Sequence, residues 1–256
     1  MTKPLIHKAL PWLVAIGSIL LWQLVCVVLR IDTFILPAPT EVWTSLVRYH
    51  EPIAMHSLQT LWTTLIGFGL AVVFGLLLGL TLGASRTVYD AVYPIMVAFN
   101  SIPKVAIVPV LVIWFGIGTV PAVLTAFLIS FFPIVVNVAT GLATIEPELQ
   151  DVMRSLGARK TQILWKIGLP RSMPYFFASL KVAITLAFVG SIVSETVAAN
   201  AGIGYLMMAA SARFDVPLVF AGLVVVAIMG VVMYEIFVAL ERRLTFWATR
   251  GTEMVT

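Results

Sequence analysis

Long uncharged, apolar runs divide the chain. Residues 10–29 contain no Asp, Glu, Lys, Arg or His, and residues 61–84 form a second such run. A helix crosses a bilayer with about 20 apolar residues, so each run is long enough to span. No charge occurs between Lys104 and Glu146, a stretch too long for one helix and broken by Gly116, Gly118 and Pro121. The break predicts a turn, with a third helix over 88–115 before it and a fourth over 120–142 after it. Ser101-Ile102-Pro103-Lys104 interrupts the third. A fifth helix is expected over 175–193, carrying Lys181, and a sixth over 217–240, with Glu235 near its end. Only helices and closed barrels satisfy the backbone in lipid. Barrel strands alternate apolar and polar positions, and these runs do not. The expected fold is all-α: a polytopic membrane protein with six transmembrane helices in a single domain, 1–256.

Composition agrees with the pattern. Of 256 residues, 61% are hydrophobic and 11% charged, against roughly 25% charged in soluble domains. Disorder requires the opposite balance. A soluble globule of this size has no interior large enough for so much apolar surface. The net charge of +4 matters less than its placement. With the N-terminus inside, eleven basic residues face the cytoplasm: Lys3, Lys8, Arg86, Arg154, Arg159, Lys160, Lys166, Arg171, Arg242, Arg243 and Arg250. Three (Arg30, Arg48 and Arg213) face outward, while Lys104 and Lys181 fall within spans. That asymmetry places both termini in the cytoplasm, as an even number of spans requires. It is an orientation signal and not a sign of nucleic-acid binding. The first run is too long for a signal-peptide core and lacks a convincing small-x-small cleavage site, so it is read as a mature helix. The polar stretch 31–59, with Asp32, Glu41, Glu51, Pro37, Pro39 and Pro52, is expected to pack as a short extracytoplasmic segment. Trp12, Trp22, Trp43, Trp62, Trp114 and Trp247 fall largely near span ends, as an interfacial belt would.

Several chemistries lack their motifs. There is no G-x-x-x-x-G-K-[ST], H-E-x-x-H, C-x-x-C or G-x-S-x-G. The histidines (His7, His50, His56) lie outside the predicted spans, and the single cysteine, Cys26, is read as a packing residue. The chain is expected to be no enzyme, to hold no metal or cofactor, and to bind no ATP itself.

The inner loop, 144–174, carries its own structure. Pro147 suits a first helical turn. Glu148 and Asp151 complement the positive N-terminal end. Leu149, Val152, Met153 and Leu156 recur at i, i+3, i+4, i+7 and form one apolar face. Gly157 stands where a C-cap glycine belongs. A second short helix is expected over 161–167, stopped by Leu169-Pro170. Such an amphipathic helix has three readings: it lies on the membrane, packs on its own bundle, or inserts into a partner's groove.

The spacing itself carries a resemblance. Asp151-Val152-Met153-Arg154-Ser155-Leu156-Gly157, nine further residues and Ile167-Gly168-Leu169-Pro170 resemble the EAA loop of ABC importer permeases. That pattern is Glu-Ala-Ala, three residues, Gly, nine residues, Ile, one residue, Leu-Pro. The glycine, isoleucine, leucine and proline match, whereas Val152 and Met153 replace the two alanines and Asp151 keeps the acid. Ile35-Leu36-Pro37-Ala38-Pro39, Trp114-Phe115-Gly116-Ile117-Gly118, Ser194-Glu195-Thr196 and Gly202-Ile203-Gly204-Tyr205-Leu206 are similar to the subfamily importing nitrate, taurine and alkanesulfonates. The resemblance implies the type I importer permease fold in a prokaryotic inner membrane. It also implies a homodimer, two cytoplasmic ATPase subunits that bind the ATP, and an extracytoplasmic solute-binding protein. In that setting the inner loop couples ATPase closure to the spans. The implied solute is small and anionic, sulfonate-, taurine- or nitrate-like. A thiamine-precursor-like solute is the alternative, and an ion-coupled secondary transporter a weaker one, because no carboxylate lies mid-span.

Charges inside spans are costly. Lys104, beside Pro103, has two readings: it lines the translocation path, or it caps carbonyls freed at the proline break. Lys181 is expected to snorkel to the cytoplasmic face. Glu195 is either an interfacial carboxylate or, on the resemblance, a residue facing the dimer axis near a gate.

Overall fold

The computed structural model describes residues 5–143 and 147–245, and every regular element among them is helical. They are α1 (Leu5–Val28), α2 (Pro39–Arg48), α3 (His50–Ala84), α4 (Arg86–Ser101), α5 (Val108–Phe115), α6 (Thr119–Ala143), α7 (Pro147–Ser155), α8 (Lys160–Ile163), α9 (Leu169–Ala198), α10 (Ile203–Ala212) and α11 (Val216–Leu244). A 3₁₀ turn, Lys104–Ile107, precedes α5, and a π turn, Leu164–Gly168, precedes α9. Five helices are long and apolar enough to cross a membrane, and a sixth crossing follows if α4 and α5 are one bent span.

The core is the packing of α3, α6 and α9. Phe68, Ala71, Ala126, Ile134, Val138, Leu180, Ala183, Ile184, Ala187 and Phe188 are buried together there. Lipid removes the hydrophobic advantage of burying one apolar helix on another, so close approach of backbones has to supply the attraction. Small residues make that approach possible. A Cβ added at Gly67, Gly75 or Gly79 of α3 would lie 2.6–2.9 Å from the Cβ of Ala126, Ile134 or Val138 of α6. A Cβ added at Gly190 of α9 would lie 3.1–3.2 Å from the backbone of Thr125 and Ala126. By contrast, α1 packs broadly only on α2, and Trp12, Leu13 and Leu20 are exposed on it.

The expected spans appear with shifted ends. The second helix begins at His50, eleven residues before the predicted 61. Its polar first turns hid it from a hydropathy reading, yet Pro52 sits where a missing N–H costs nothing. At 35 residues it is about 50 Å long and outreaches the hydrocarbon core. The third is broken at Ile102–Pro103, as expected, and bends by 75°. The fifth starts at Leu169 and not at 175. Leu169-Pro170, read as a helix stop, instead opens α9, with Pro170 in its first turn where it forfeits no bond. The second loop helix is correspondingly short, Lys160–Ile163, and continues through the π turn into α9. The short α10 was not predicted.

Two in-span charges find partners within the chain. Lys181 does not simply snorkel: its Nζ donates to Glu241 Oε2 of α11 at 2.6 Å, with both side chains about a fifth exposed. Glu195, in the last turn of α9, is only 2% exposed. Cys26 is buried, as a packing residue should be. Residues 1–4, 144–146 and 246–256, among them Lys3, Trp247 and Arg250, lie outside the described residues.

Candidate functional site

Two places gather the predicted functional residues, one at each end of the bundle. The first is the segment from α7 to the start of α9. Pro147 is the first residue of α7 and Glu148 occupies its first turn. The helix ends as the sequence predicts. Gly157 adopts φ +79°, its N–H donates to Arg154 O at 2.9 Å, and Ala158 N–H donates to Met153 O at 2.9 Å. That pair of bonds is the Schellman arrangement. Asp151 accepts from Arg154 at 2.9 Å, an exposed pair that contributes little. Arg159 N–H donates to the side chain of Gln162 at 2.8 Å and starts α8, a cap the sequence reading missed.

The apolar face of α7 is left open. Val152 is 56% and Leu156 77% exposed, while Leu149 and Met153 are half-buried. No other described helix packs broadly on α7. Ile167 and Leu169 are half-buried in the π turn and the start of α9, and Pro170 and Ser155 are exposed. Trp165, 67% exposed, adds a large apolar side chain close by in sequence. This segment therefore presents an amphipathic helix whose apolar face is left partly open by the described residues.

Lys104 lies just after the third-span break. Its Nζ donates to Asn100 O and, at 2.7 Å, to Asn100 Oδ1. Asn100 lies in the last turn of α4, so the ammonium caps a carbonyl beside the break at Pro103.

The second place is at the opposite end of the bundle, where α9 stops. Glu195 and Thr60 are buried there. Thr60 Oγ1 donates to Glu195 Oε2 at 2.8 Å, Thr63 Oγ1 donates to Oε1 at 3.3 Å, and Gly204 N–H donates to Oε2 at 3.2 Å. Ile203 N–H donates in turn to Thr60 Oγ1 at 2.8 Å, and Gly202 N–H to His56 Nδ1 at 3.1 Å. These bonds fasten the first turn of α10 to α3 and α9. Gly202 has φ +110°, and a Cβ there would overlap the Glu195 carboxyl group. Glycine is thus required twice over, by backbone and by space. A donation to His56 Nδ1 leaves that nitrogen unprotonated and the ring proton on Nε2.

Two cavities flank this cluster. One, of about 130 Å³, is lined by Gln59, Thr63, Thr119, Glu195 and Asn200 and by small residues of the 116–119 and 199–201 loops. The other, of about 380 Å³, lies among Tyr49, His56, Tyr205, Arg213 and Asp215. Reading the sequence singled out Glu195 and the Gly202–Leu206 motif but not Thr60, Thr63 or His56. The available signal was the set Thr60, Thr63 and Thr64, at i, i+3 and i+4 on one face of an otherwise apolar run.

Comparisons with known proteins bear on the family and the fold. Residues 71–246 match the family model described as binding-protein-dependent transport system inner membrane component. The formylaminopyrimidine transport permease protein ThiX of Halalkalibacterium halodurans is 33% identical over 84% of this chain and 86% of its own length. The taurine transport system permease protein TauC of Escherichia coli is 29% identical over 88% of this chain and 85% of its own. A chain of the methionine ABC transporter MetNI, in an inward-facing conformation, superposes with a TM-score of 0.64 at 22% identity, covering 73% of this chain and 94% of that one.

Proposed function

The chain belongs to the binding-protein-dependent transport system inner membrane component family, and from that premise we propose how it works. It is a multi-pass membrane permease subunit of an ABC importer, a transport component and not an enzyme. It acts as a homodimer in a prokaryotic inner membrane, with both termini in the cytoplasm, two ATPase subunits below and a solute-binding protein above. ATP is bound by the ATPase subunits, and this chain needs no cofactor. The eleven-to-three distribution of basic residues supports the orientation.

The observation that carries the mechanism is the open face of α7. Val152 and Leu156 are exposed on a helix that its own bundle does not cover, as expected of an amphipathic helix that fills a partner's groove. Glu148, Asp151, Val152, Met153, Arg154, Ser155, Leu156 and Gly157 form the docking element. Ile167, Leu169 and Pro170 join it to α9 through the π turn, so displacement of α7 by ATPase closure acts directly on a core span. Co-purification tests this. The histidine-tagged chain should retain a soluble ATPase, and Leu156→Asp should release it while leaving the chain inserted. An ATPase retained in full by that variant would overturn the docking account.

The solute is small and anionic, of the taurine, sulfonate or nitrate class, and is delivered by the binding protein. Similarity to the taurine permease supports this, and Arg213 with the Nε2–H of His56 supplies anion-complementary groups at the larger distal cavity. Similarity to the formylaminopyrimidine permease supports the second reading, a thiamine-precursor-like solute. Ligand screening of the cognate binding protein separates the two.

A further inference from the structure

Glu195 is anomalous beyond its fastening of α10. It is 2% exposed, and no cationic side chain pairs with it among the described residues. A buried carboxylate ordinarily has a partner of opposite charge. Its donors are also unevenly shared. Oε2 receives Thr60 at 2.8 Å and Gly204 N–H at 3.2 Å, whereas Oε1 receives only Thr63 at 3.3 Å. A carboxylate has about four lone-pair sites, so acceptor capacity remains, chiefly on Oε1.

The smaller distal cavity lies against this group. Its other polar walls are Gln59, Thr63, Thr119 and Asn200, with no Lys, Arg or His among its lining residues. Gln59 Nε2 donates to Thr119 Oγ1 at 3.2 Å, which leaves the Gln59 carbonyl oxygen as an acceptor. The cavity thus combines an unpaired carboxylate with neutral acceptors and offers no positive charge. At about 130 Å³ it is well below the roughly 300–1,000 Å³ of a pocket for a whole ligand. It has room for one functional group.

We propose that this cavity is an amine subsite: it receives the protonated amino group of an aminated solute, with Glu195 as counter-charge and Gln59 and Asn200 as further acceptors. The proposal rests on the transport reading and narrows it. Within the sulfonate class it selects amino-sulfonates over simple alkanesulfonates.

The test uses the purified full-length chain in lipid nanodiscs, with methylammonium as probe and saturation-transfer NMR as readout. Methylammonium should bind the native chain, and taurine should displace it more effectively than 2-hydroxyethanesulfonate, which has a hydroxyl in place of the amine. A hydrogen bond to a charged group is worth enough that Glu195→Gln should weaken methylammonium about tenfold or more. Because Glu195 also holds α10, Asn200→Leu provides a check on an exposed rim residue outside the hydrogen bonds of that fastening, and it too should weaken the probe. Equal affinity in the native chain and both variants would overturn the proposal. So would displacement by sodium chloride as effective as by taurine, which would make the cavity an alkali-cation site. Neither the ATPase nor the binding protein takes part in this assay. A negative result therefore leaves the transport reading standing, and that reading fails only if the intact complex does not import.

Discussion

Thr60 and Glu195, 135 positions apart in sequence, meet through a buried 2.8 Å hydrogen bond from Oγ1 to Oε2. The same hydroxyl oxygen accepts Ile203 N–H, so one side chain joins α3, α9 and α10. Replacing Thr60 by Val keeps the shape and removes both bonds. It leaves a carboxylate oxygen and a backbone N–H short of a partner, and each unsatisfied buried group costs about 1–3 kcal/mol. Thr60→Val should lower the unfolding midpoint of the purified chain in detergent. Thr60→Ser, which keeps the hydroxyl, should remain near the native value. Equal midpoints for the Val and Ser variants would show that the bonds contribute nothing.

The spans were legible because lipid imposes one rule, uniform apolarity, on about 20 residues at a time. The same rule hid the start of α3: His50, Glu51 and His56 are helical but lie in turns too polar for a hydropathy reading. The end of α7 was legible because Gly157 has one local role, a positive φ. Leu169-Pro170 misled because proline is tolerated both just after one helix and in the first turn of the next, and only the π turn settles which. The Glu195 cluster was half legible. Its carboxylate is a conspicuous charge, but its donors are ordinary threonines, and their convergence depends on packing between helices more than a hundred positions apart.

Gly157 gives a prediction at the coupling end. At φ +79° any side chain is strained by about 1–2 kcal/mol, and nothing lies within 4 Å of an added Cβ. The penalty is therefore in the backbone and not in a clash. Gly157→Asp should leave membrane insertion intact, shift the α7–α8 turn and abolish solute uptake by the assembled transporter. Gly157→Asn, which tolerates the left-handed region as Asp does but adds no negative charge at the C-terminal end of α7, should retain a substantial share. Normal uptake by the Asp variant would disprove the coupling role of this turn.

The contact between α3 and α6 gives a paired prediction. A Cβ at Gly79 would lie 2.7 Å from Val138 Cβ and 3.0 Å from Val135 O. Gly79→Ala should force the helices apart at a cost of about 1–3 kcal/mol, seen as a lower unfolding midpoint. Trimming the partner in Gly79→Ala/Val138→Ala removes the 2.9 Å contact with Val138 Cγ1 but leaves those with its Cβ and with the carbonyl oxygen. The double variant should therefore recover part of the loss and not all of it. No recovery would mean that the Val138 γ-methyl group takes no part in setting the spacing.

Lys181 and Glu241 pair across α9 and α11 at 2.6 Å, both about a fifth exposed. Removing either partner strands a charge in a setting that hydrates it poorly, whereas removing both strands none. Lys181→Met and Glu241→Gln should each lower the unfolding midpoint. The double variant should lie well above the sum of the two losses, with a coupling energy of about 0.5–3 kcal/mol. The sign of any net difference from the native chain then reports whether the pair stabilises or only specifies. A double variant as stable as the native chain assigns the pair to register between α9 and α11. Because α9 also receives the thrust of α7, that variant should then import less per ATP hydrolysed, a ratio measured in proteoliposomes. Strict additivity of the two single losses would show that the ion pair does not couple the helices.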